Sequence, residues 1–219
     1  MSLAIFDLDE TLLAGDSCTL FCEFLVAEGL APSDFVAQDE QMMERYHQQT
    51  LVLSDYISFL IAPLRHLSVS DVDELMPLFV DRYIVPKIYP EALQLIEEYL
   101  QKGIRPLIIS ATSEFIVKAV AEKLGINDVL AIQLEIKNNA YTGQIQGVPT
   151  FREGKVSRLY SWAIEHQEST DGATFYSDSI NDLPLLELVD NPVATNPDQQ
   201  LKAIATQHNW PVLQWGKCQ

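Results

Sequence analysis

Positive charge is what this sequence has least of. Fourteen Lys and Arg stand against 31 Asp and Glu in 219 residues, a formal net charge of −17. No basic run and no interleaving of Arg with aromatics offers a footprint for a phosphodiester backbone, so no nucleic-acid partner is expected. Long apolar runs are missing too. Stretches such as Pro106-Leu107-Ile108-Ile109 fall far short of the ~20 residues that cross a bilayer, so no membrane partner is expected. No basic segment followed by a long apolar one precedes the first apolar run, and a secretion signal is not expected. Cysteine is scarce: Cys18, Cys22 and Cys218 are odd in number and lack zinc-like partners. They read as free thiols in a reducing, cytoplasmic compartment.

What is present is ample apolar material, 47% of the chain, enough for one packed core with an inserted subdomain. Short β-rich runs recur at Leu3–Phe6, Arg105–Ile109, Val129–Gln133, Ala173–Tyr176 and Pro192–Ala194. Helix-length segments separate them. Tyr89–Lys102 opens at a proline and stops at Gly103, and Glu114–Leu124 stops at Gly125. Apolar strands alternating with helices predict an α/β fold, a Rossmann-like parallel sheet covered on both faces. Lys137–Ile145, with Asn138-Asn139 near its start, predicts a small hairpin.

One interval breaks the alternation. From residue 15 to 88 the patterning is helical throughout, in segments Ser17–Glu28, Asp34–Gln49, Ser54–Leu64 and Ser70–Val85. Residues 15–88 are therefore expected to form a helical subdomain inserted after the first strand, with 1–14 and 89–219 as the core. Its charge is lopsided: residues 16–88 hold twelve Asp/Glu and four Lys/Arg, net −8. That reads first as a solvated acidic surface, and it also suits cationic ligands.

In an open parallel sheet, ligands bind beyond the carboxyl ends of the strands. After Leu3–Phe6 come Asp7 and Asp9. After Arg105–Ile109 come Ser110, Ala111 and Thr112, and after Ala173–Tyr176 come Asp178, Asn181 and Asp182. Four carboxylates at one edge repel one another, by ~1 kcal/mol per pair at ~4 Å in water and by several times that near a protein surface. Such a set calls for a cation. Oxygen ligands favour a hard one, and Mg²⁺ takes carboxylates, waters and a substrate phosphate. Lys155, in Gly154-Lys155-Val156-Ser157, adds a positive charge. Ser110 and the N–H groups that open the next helix offer an anion cradle. Together these describe phosphoryl transfer.

These residues resemble those of the haloacid dehalogenase superfamily, in its phosphoserine phosphatase-like branch. Phe6-Asp7-Leu8-Asp9-Glu10-Thr11 matches the nucleophile loop, and Ile109-Ser110-Ala111-Thr112 the Ser/Thr segment. Gly154-Lys155 matches the lysine, and Tyr176-Ser177-Asp178-Ser179-Ile180-Asn181-Asp182 the acidic loop. Each string alone is weak; four in the family's order, each after the right kind of strand, are specific. The resemblance implies a Mg²⁺-dependent phosphatase acting on a small phosphomonoester, with the helical insertion as its cap. It implies that Asp7 is the nucleophile and Asp9 the acid and base. Mg²⁺ would sit on Asp7, the carbonyl of Asp9, and Asp178. Asp182 would orient Lys155 or metal-bound water, and Ser110, Ala111, Lys155 and Asn181 would hold phosphate.

In this branch a cap Glu meets the substrate amine and a cap Arg its carboxylate. Asp16 stands near the place of the Glu, although as a helix N-cap it has an ordinary structural role as well. The helix Leu53–Leu60 that should carry the Arg has none; Arg45 and Arg65 are the substitutes to consider. A missing Arg fork removes the natural partner of a carboxylate. The expected substrate is a phosphorylated amino alcohol such as histidinol phosphate. Phosphoserine, transfer to an acceptor alcohol, and a non-catalytic phosphate-binding module remain alternatives.

Overall fold

A computed structural model of the chain describes residues 3–48 and 50–216. Cys218 lies outside them. The centre is a six-stranded sheet in the order β3-β2-β1-β6-β7-β8, with every pairing parallel. Its strands are β1 (Leu3–Phe6), β2 (Arg105–Ser113), β3 (Asp128–Ile132), β6 (Thr174–Ser177), β7 (Asn191–Thr195) and β8 (Val212–Leu213). A hairpin of β4 (Leu134–Lys137) and β5 (Ala140–Ile145) stands apart from the sheet. Asn138 and Asn139 turn it with φ of 53° and 61°, the left-handed pair a two-residue hairpin needs.

β1 lies mid-sheet because it is apolar on both faces. Ala4 and Phe6 belong to one apolar cluster, Leu3 and Ile5 to the other, and none of the four is more than 1% exposed. At about 1.5–3 kcal/mol for each large side chain buried, an edge position would forfeit several kcal/mol. Helices cover both faces. α5 (Pro90–Gln101) and α6 (Glu114–Leu124) contribute to the first cluster; α7 (Glu153–His166), α8 (Leu183–Leu186) and α9 (Gln199–His208) contribute to the second. Trp162 packs in that second cluster, and Trp215 meets Tyr89 edge-on, centroids 5.7 Å apart.

The interval after β1 is helical: α1 (Ser17–Ala27), α2 (Phe35–His47), α3 (Leu53–Ile61) and α4 (Val69–Phe79). The last expected helix is shorter than its periodicity suggests. After Phe79 the chain widens into a π turn, Val80–Ile84, and tightens into a 3-10 turn, Val85–Lys87, as Pro86 withholds its N–H. The two crossings between helical region and sheet run side by side. Leu13 pairs with Ile88, Ala14 N–H donates to the Lys87 carbonyl, and Tyr89 N–H to that of Leu12. The turn after β7 leads into α9, and β8 takes one edge of the sheet. No described helix is long and apolar enough to cross a membrane. Cys18 and Cys22 are buried free thiols, and burial pushes both pKa values up.

Candidate active site

Asp7 is the first residue beyond β1. Its N–H donates to the Tyr176 carbonyl at 2.9 Å, extending the β1–β6 ladder by one rung and fixing the side chain over the sheet edge. The chain then turns back: Glu10 adopts a left-handed φ of 53°, and Leu12 and Leu13 N–H both donate to the Leu8 carbonyl. That turn carries Asp9 to the same edge. Both Asp9 oxygens are engaged, Oδ1 by Ser17 N–H at 2.6 Å and Oδ2 by Thr112 Oγ1 at 2.8 Å. The helical region and β2 thus hold Asp9 from opposite sides.

β2 loses register with β3 between Ile109 and Ser113, the irregularity that frees strand groups from the ladder. Ser110 sits there, 1% exposed. Its Oγ accepts Thr112 N–H at 3.1 Å and its carbonyl accepts Thr150 Oγ1 at 2.5 Å. Beyond β6, Asp178 Oδ1 accepts Thr11 Oγ1 at 3.1 Å. Asp182 ends the 3-10 turn Ile180–Asp182, and its Oδ2 accepts Ser177 Oγ at 2.7 Å.

Lys155, in the first turn of α7, is 2% exposed and joins two of these elements. Its Nζ donates to Asp7 Oδ1 at 2.8 Å and to Asp182 Oδ2 at 2.7 Å. Burial alone would discharge this ammonium, but Asp182 and Asp7 outweigh it and hold the pKa above the ordinary lysine range. Asp7 is pushed up to about 7 by burial, with Lys155 opposing and Asp182 and Asp9 adding. Burial raises Asp9, its hydrogen bonds to Ser17 and Thr112 opposing. Asp178 is raised well above an ordinary aspartate by burial, then by Asp7 and Asp182.

Asp7, Asp9, Ser110, Lys155, Asp178 and Asp182 line one cavity of about 480 Å³. The donor set that Asp7, Asp9, Asp178 and Asp182 give it is all oxygen and acidic, with the buried Lys155 among them. A hard divalent cation fits that chemistry. No group of three His, Cys, Asp or Glu side chains among the described residues is placed to hold a metal ion. The expected Mg²⁺ set does not need one: it has two side chains, a carbonyl, and positions for water and phosphate.

Ala111 and Asn181 reach the same cavity, Asn181 with its Oδ1 accepting Arg152 Nε at 3.1 Å. Asp16 lines it as well and is also the N-cap of α1, accepting Thr19 N–H at 2.9 Å. Burial, then the Asp9 charge, raises its pKa well above the usual value. Arg65 is elsewhere, its guanidinium donating to Ser58, and Arg45 does not line the cavity. Several supporting residues carried no signal of their own. Ser17 gives a backbone N–H, Thr150 a hydroxyl to the Ser110 carbonyl, and Arg152 a guanidinium to Asn181. Thr11, Thr112 and Ser177 lie inside the quoted motifs, but the sequence assigned their hydroxyls no role.

The chain is similar to known proteins in sequence and in fold. The haloacid dehalogenase-like hydrolase family matches residues 4–187. A histidinol-phosphatase of Neisseria meningitidis serogroup C is 40% identical over 217 residues, covering 97% of this chain and 98% of that one. A crystal structure of a protein of unknown function from Bordetella pertussis Tohama I superposes with a TM-score of 0.89 at 33% identity, over 97% of both chains. A substrate-bound phosphoserine phosphatase superposes with a TM-score of 0.69 at 17% identity, over 97% of this chain and 92% of that one, and shares the fold. This chain belongs to the haloacid dehalogenase-like hydrolases, in their phosphoserine phosphatase-like branch, and is a phosphatase of that family.

Proposed function

We propose that the protein hydrolyses a small phosphomonoester whose alcohol carries a cationic nitrogen, and that histidinol phosphate is its substrate. The observation that carries the reaction is the convergence of Asp7, Asp9, Ser110 and Lys155 on one cavity. An Asp7 carboxylate oxygen attacks phosphorus; the bond from phosphorus to the alcohol oxygen breaks, and Asp9 gives that oxygen a proton. Asp9 then takes a proton from water, whose oxygen attacks the phosphorus of the aspartyl-phosphate. Inorganic phosphate and the Asp7 carboxylate are released. Ser110, Ala111, Lys155 and Asn181 hold the phosphoryl oxygens, and Asp182 keeps Lys155 charged and in position. Mg²⁺, when bound by Asp7, the Asp9 carbonyl and Asp178, neutralises phosphate charge. Residues 15–88 act as a cap over a core of 1–14 and 89–219, excluding bulk water during transfer.

The choice of ester rests on the other end of the cavity. Asp16 is there, and none of the described helical-region residues lining it is Lys, Arg or His. From the helical region a substrate carboxylate finds no cationic partner, whereas an ammonium or imidazolium meets Asp16 there. The full-length likeness to a histidinol-phosphatase supports the same ester. Steady-state kinetics with Mg²⁺ test the reading. Histidinol phosphate should exceed phosphoserine in kcat/KM by at least about tenfold, or about 1.4 kcal/mol. Asp7→Asn should lose about 10⁴-fold or more while keeping its far-UV circular dichroism. A tenfold preference for phosphoserine overturns the substrate, and near-normal turnover by Asp7→Asn overturns the nucleophile.

A further inference from the structure

Behind the substrate end of the cavity lies a carboxylate that does not line it. Asp39, on α2, is completely buried. Its Oδ2 accepts Thr19 Oγ1 at 2.7 Å and its Oδ1 accepts Tyr56 Oη at 2.9 Å. Thr19 on α1 and Tyr56 on α3 do line the cavity, so three helices of the insertion meet at this one group. A hydroxyl has a single proton and two lone pairs. With both protons committed to Asp39, the polar surface these hydroxyls can offer a bound molecule is acceptor surface. The Thr19 N–H is committed too, to Asp16 Oδ1.

The helical region also brings apolar and aromatic side chains to the cavity. Tyr46 and Phe151 have ring centroids 6.0 Å apart and line the cavity with Met43 and Leu53. Aromatic rings suit a flat or cationic group, which gains from their π faces, and the Arg152 guanidinium already lies over Phe151, 4.9 Å from its centroid. Acceptors in an aromatic surround match a nitrogen heterocycle or amine bearing N–H donors. They mismatch a carboxylate, which brings further acceptors.

We propose that Asp39 is a positioning residue for substrate selectivity: by taking the hydroxyl protons of Thr19 and Tyr56 it turns both into acceptors, so the cavity selects phosphomonoesters whose alcohol part carries N–H donors. The assignment rests on the phosphomonoesterase reading above and adds to it the residue that sets the sense of the hydrogen bonds. Asp39 touches neither phosphate nor the reacting carboxylates. Its effect belongs in substrate discrimination, not in the chemistry common to all esters.

Asp39→Asn tests this with little change of shape. An Asn carbonyl can accept from only one hydroxyl; its amide must donate to the other, which then turns its proton towards the cavity. For histidinol phosphate, kcat/KM should fall by about tenfold or more, mostly through KM, since a buried donor facing a donor is left unpaired. Phosphoserine, whose carboxylate can accept the turned proton while its ammonium loses an acceptor, should fall less, so the ratio of the two kcat/KM values drops. With p-nitrophenyl phosphate, which has neither N–H donors nor a carboxylate, kcat/KM should stay within about twofold of wild type. Equal losses on all three esters, or unchanged selectivity, overturn the role of Asp39. If Asp39→Asn does not fold, Tyr56→Phe and Thr19→Val decide the matter: each removes one acceptor and should lower kcat/KM for histidinol phosphate more than for p-nitrophenyl phosphate, and equal falls on both overturn the role. The two readings fail separately. A wild-type protein that ignores histidinol phosphate but cleaves phosphoethanolamine overturns the named substrate, and Asp39→Asn is then read on phosphoethanolamine.

Discussion

Gly154 stands one residue before Lys155, and a Cβ there would lie 1.9 Å from the Pro149 carbonyl oxygen. Backbone cannot yield as a side-chain tip can, so the start of α7 must shift in Gly154→Ala and carry Lys155 with it. Lys155 bridges Asp7 and Asp182 at hydrogen-bond distance, and an error near 1 Å at such a group costs about 10²-fold in rate. Gly154→Ala should therefore lower kcat by about that factor, with an overpacking cost of about 1–3 kcal/mol seen as a fall in Tm. Wild-type kcat in the variant would show that the lysine does not depend on this contact. Gly154 was legible only as part of a motif. Asp7, Asp9, Ser110, Lys155 and Asp178 could be found because strand ends or helix starts deliver them, a placement that pattern alone reveals. Thr150, Arg152 and Asp39 each act through hydrogen bonds to residues far away in sequence, and no spacing advertises such a bond.

Among the elements, those with a glycine stop matched expectation most closely. α6 runs from Glu114 to Leu124 as the sequence indicates, since Gly125 takes the left-handed conformation, φ 71°, that ends it. α9 and β8 were not legible. α9 buries only Leu201 and Ala205, too few to draw an apolar stripe, and β8 is two residues long. α4 was legible in type but not in its ends. Its start is a capping box: Ser68 Oγ accepts Asp71 N–H at 3.1 Å, and Asp71 Oδ2 accepts Ser68 N–H at 2.8 Å. The Ser68 hydroxyl and N–H hold the Asp71 carboxyl below its ordinary 3.8. A depressed pKa means the cap stabilises fully above that ordinary value and is lost as pH falls through the lower folded one. The Tm advantage of wild type over Asp71→Asn should thus be constant from pH 7 to about pH 5 and shrink below pH 4. A difference unchanged down to pH 2 would mean the cap works without its charge.

At the scale of the whole molecule, the helical insertion was visible as an interval without strands, but a 3.6-residue stripe does not say what it packs against. The structure supplies that. One apolar cluster runs through both parts: Phe21 of α1 meets Phe79 at 5.1 Å and, across to α6, Phe115 at 5.6 Å between ring centroids. A helical region that shares its core with the sheet layer cannot melt independently, because opening it would strip Phe115 and Ile116 of their cover as well. Calorimetry should show a single transition whose van't Hoff and calorimetric enthalpies agree. Phe21→Ala removes a fully buried ring, costing about 3–5 kcal/mol. At about 2–4 °C per kcal/mol for a chain of this size, the transition should move down as a unit by roughly 6–20 °C. Two transitions, or a low-temperature shoulder that moves alone in Phe21→Ala, would show instead that the helical region folds on its own account. Any movement of that region over the cavity would then be a rigid-body swing, pivoting where Leu13 pairs with Ile88. A shared core implies the opposite: access to Asp7 comes from small shear of α1 against α6, with Ser17 moving against Asp9 as it does so.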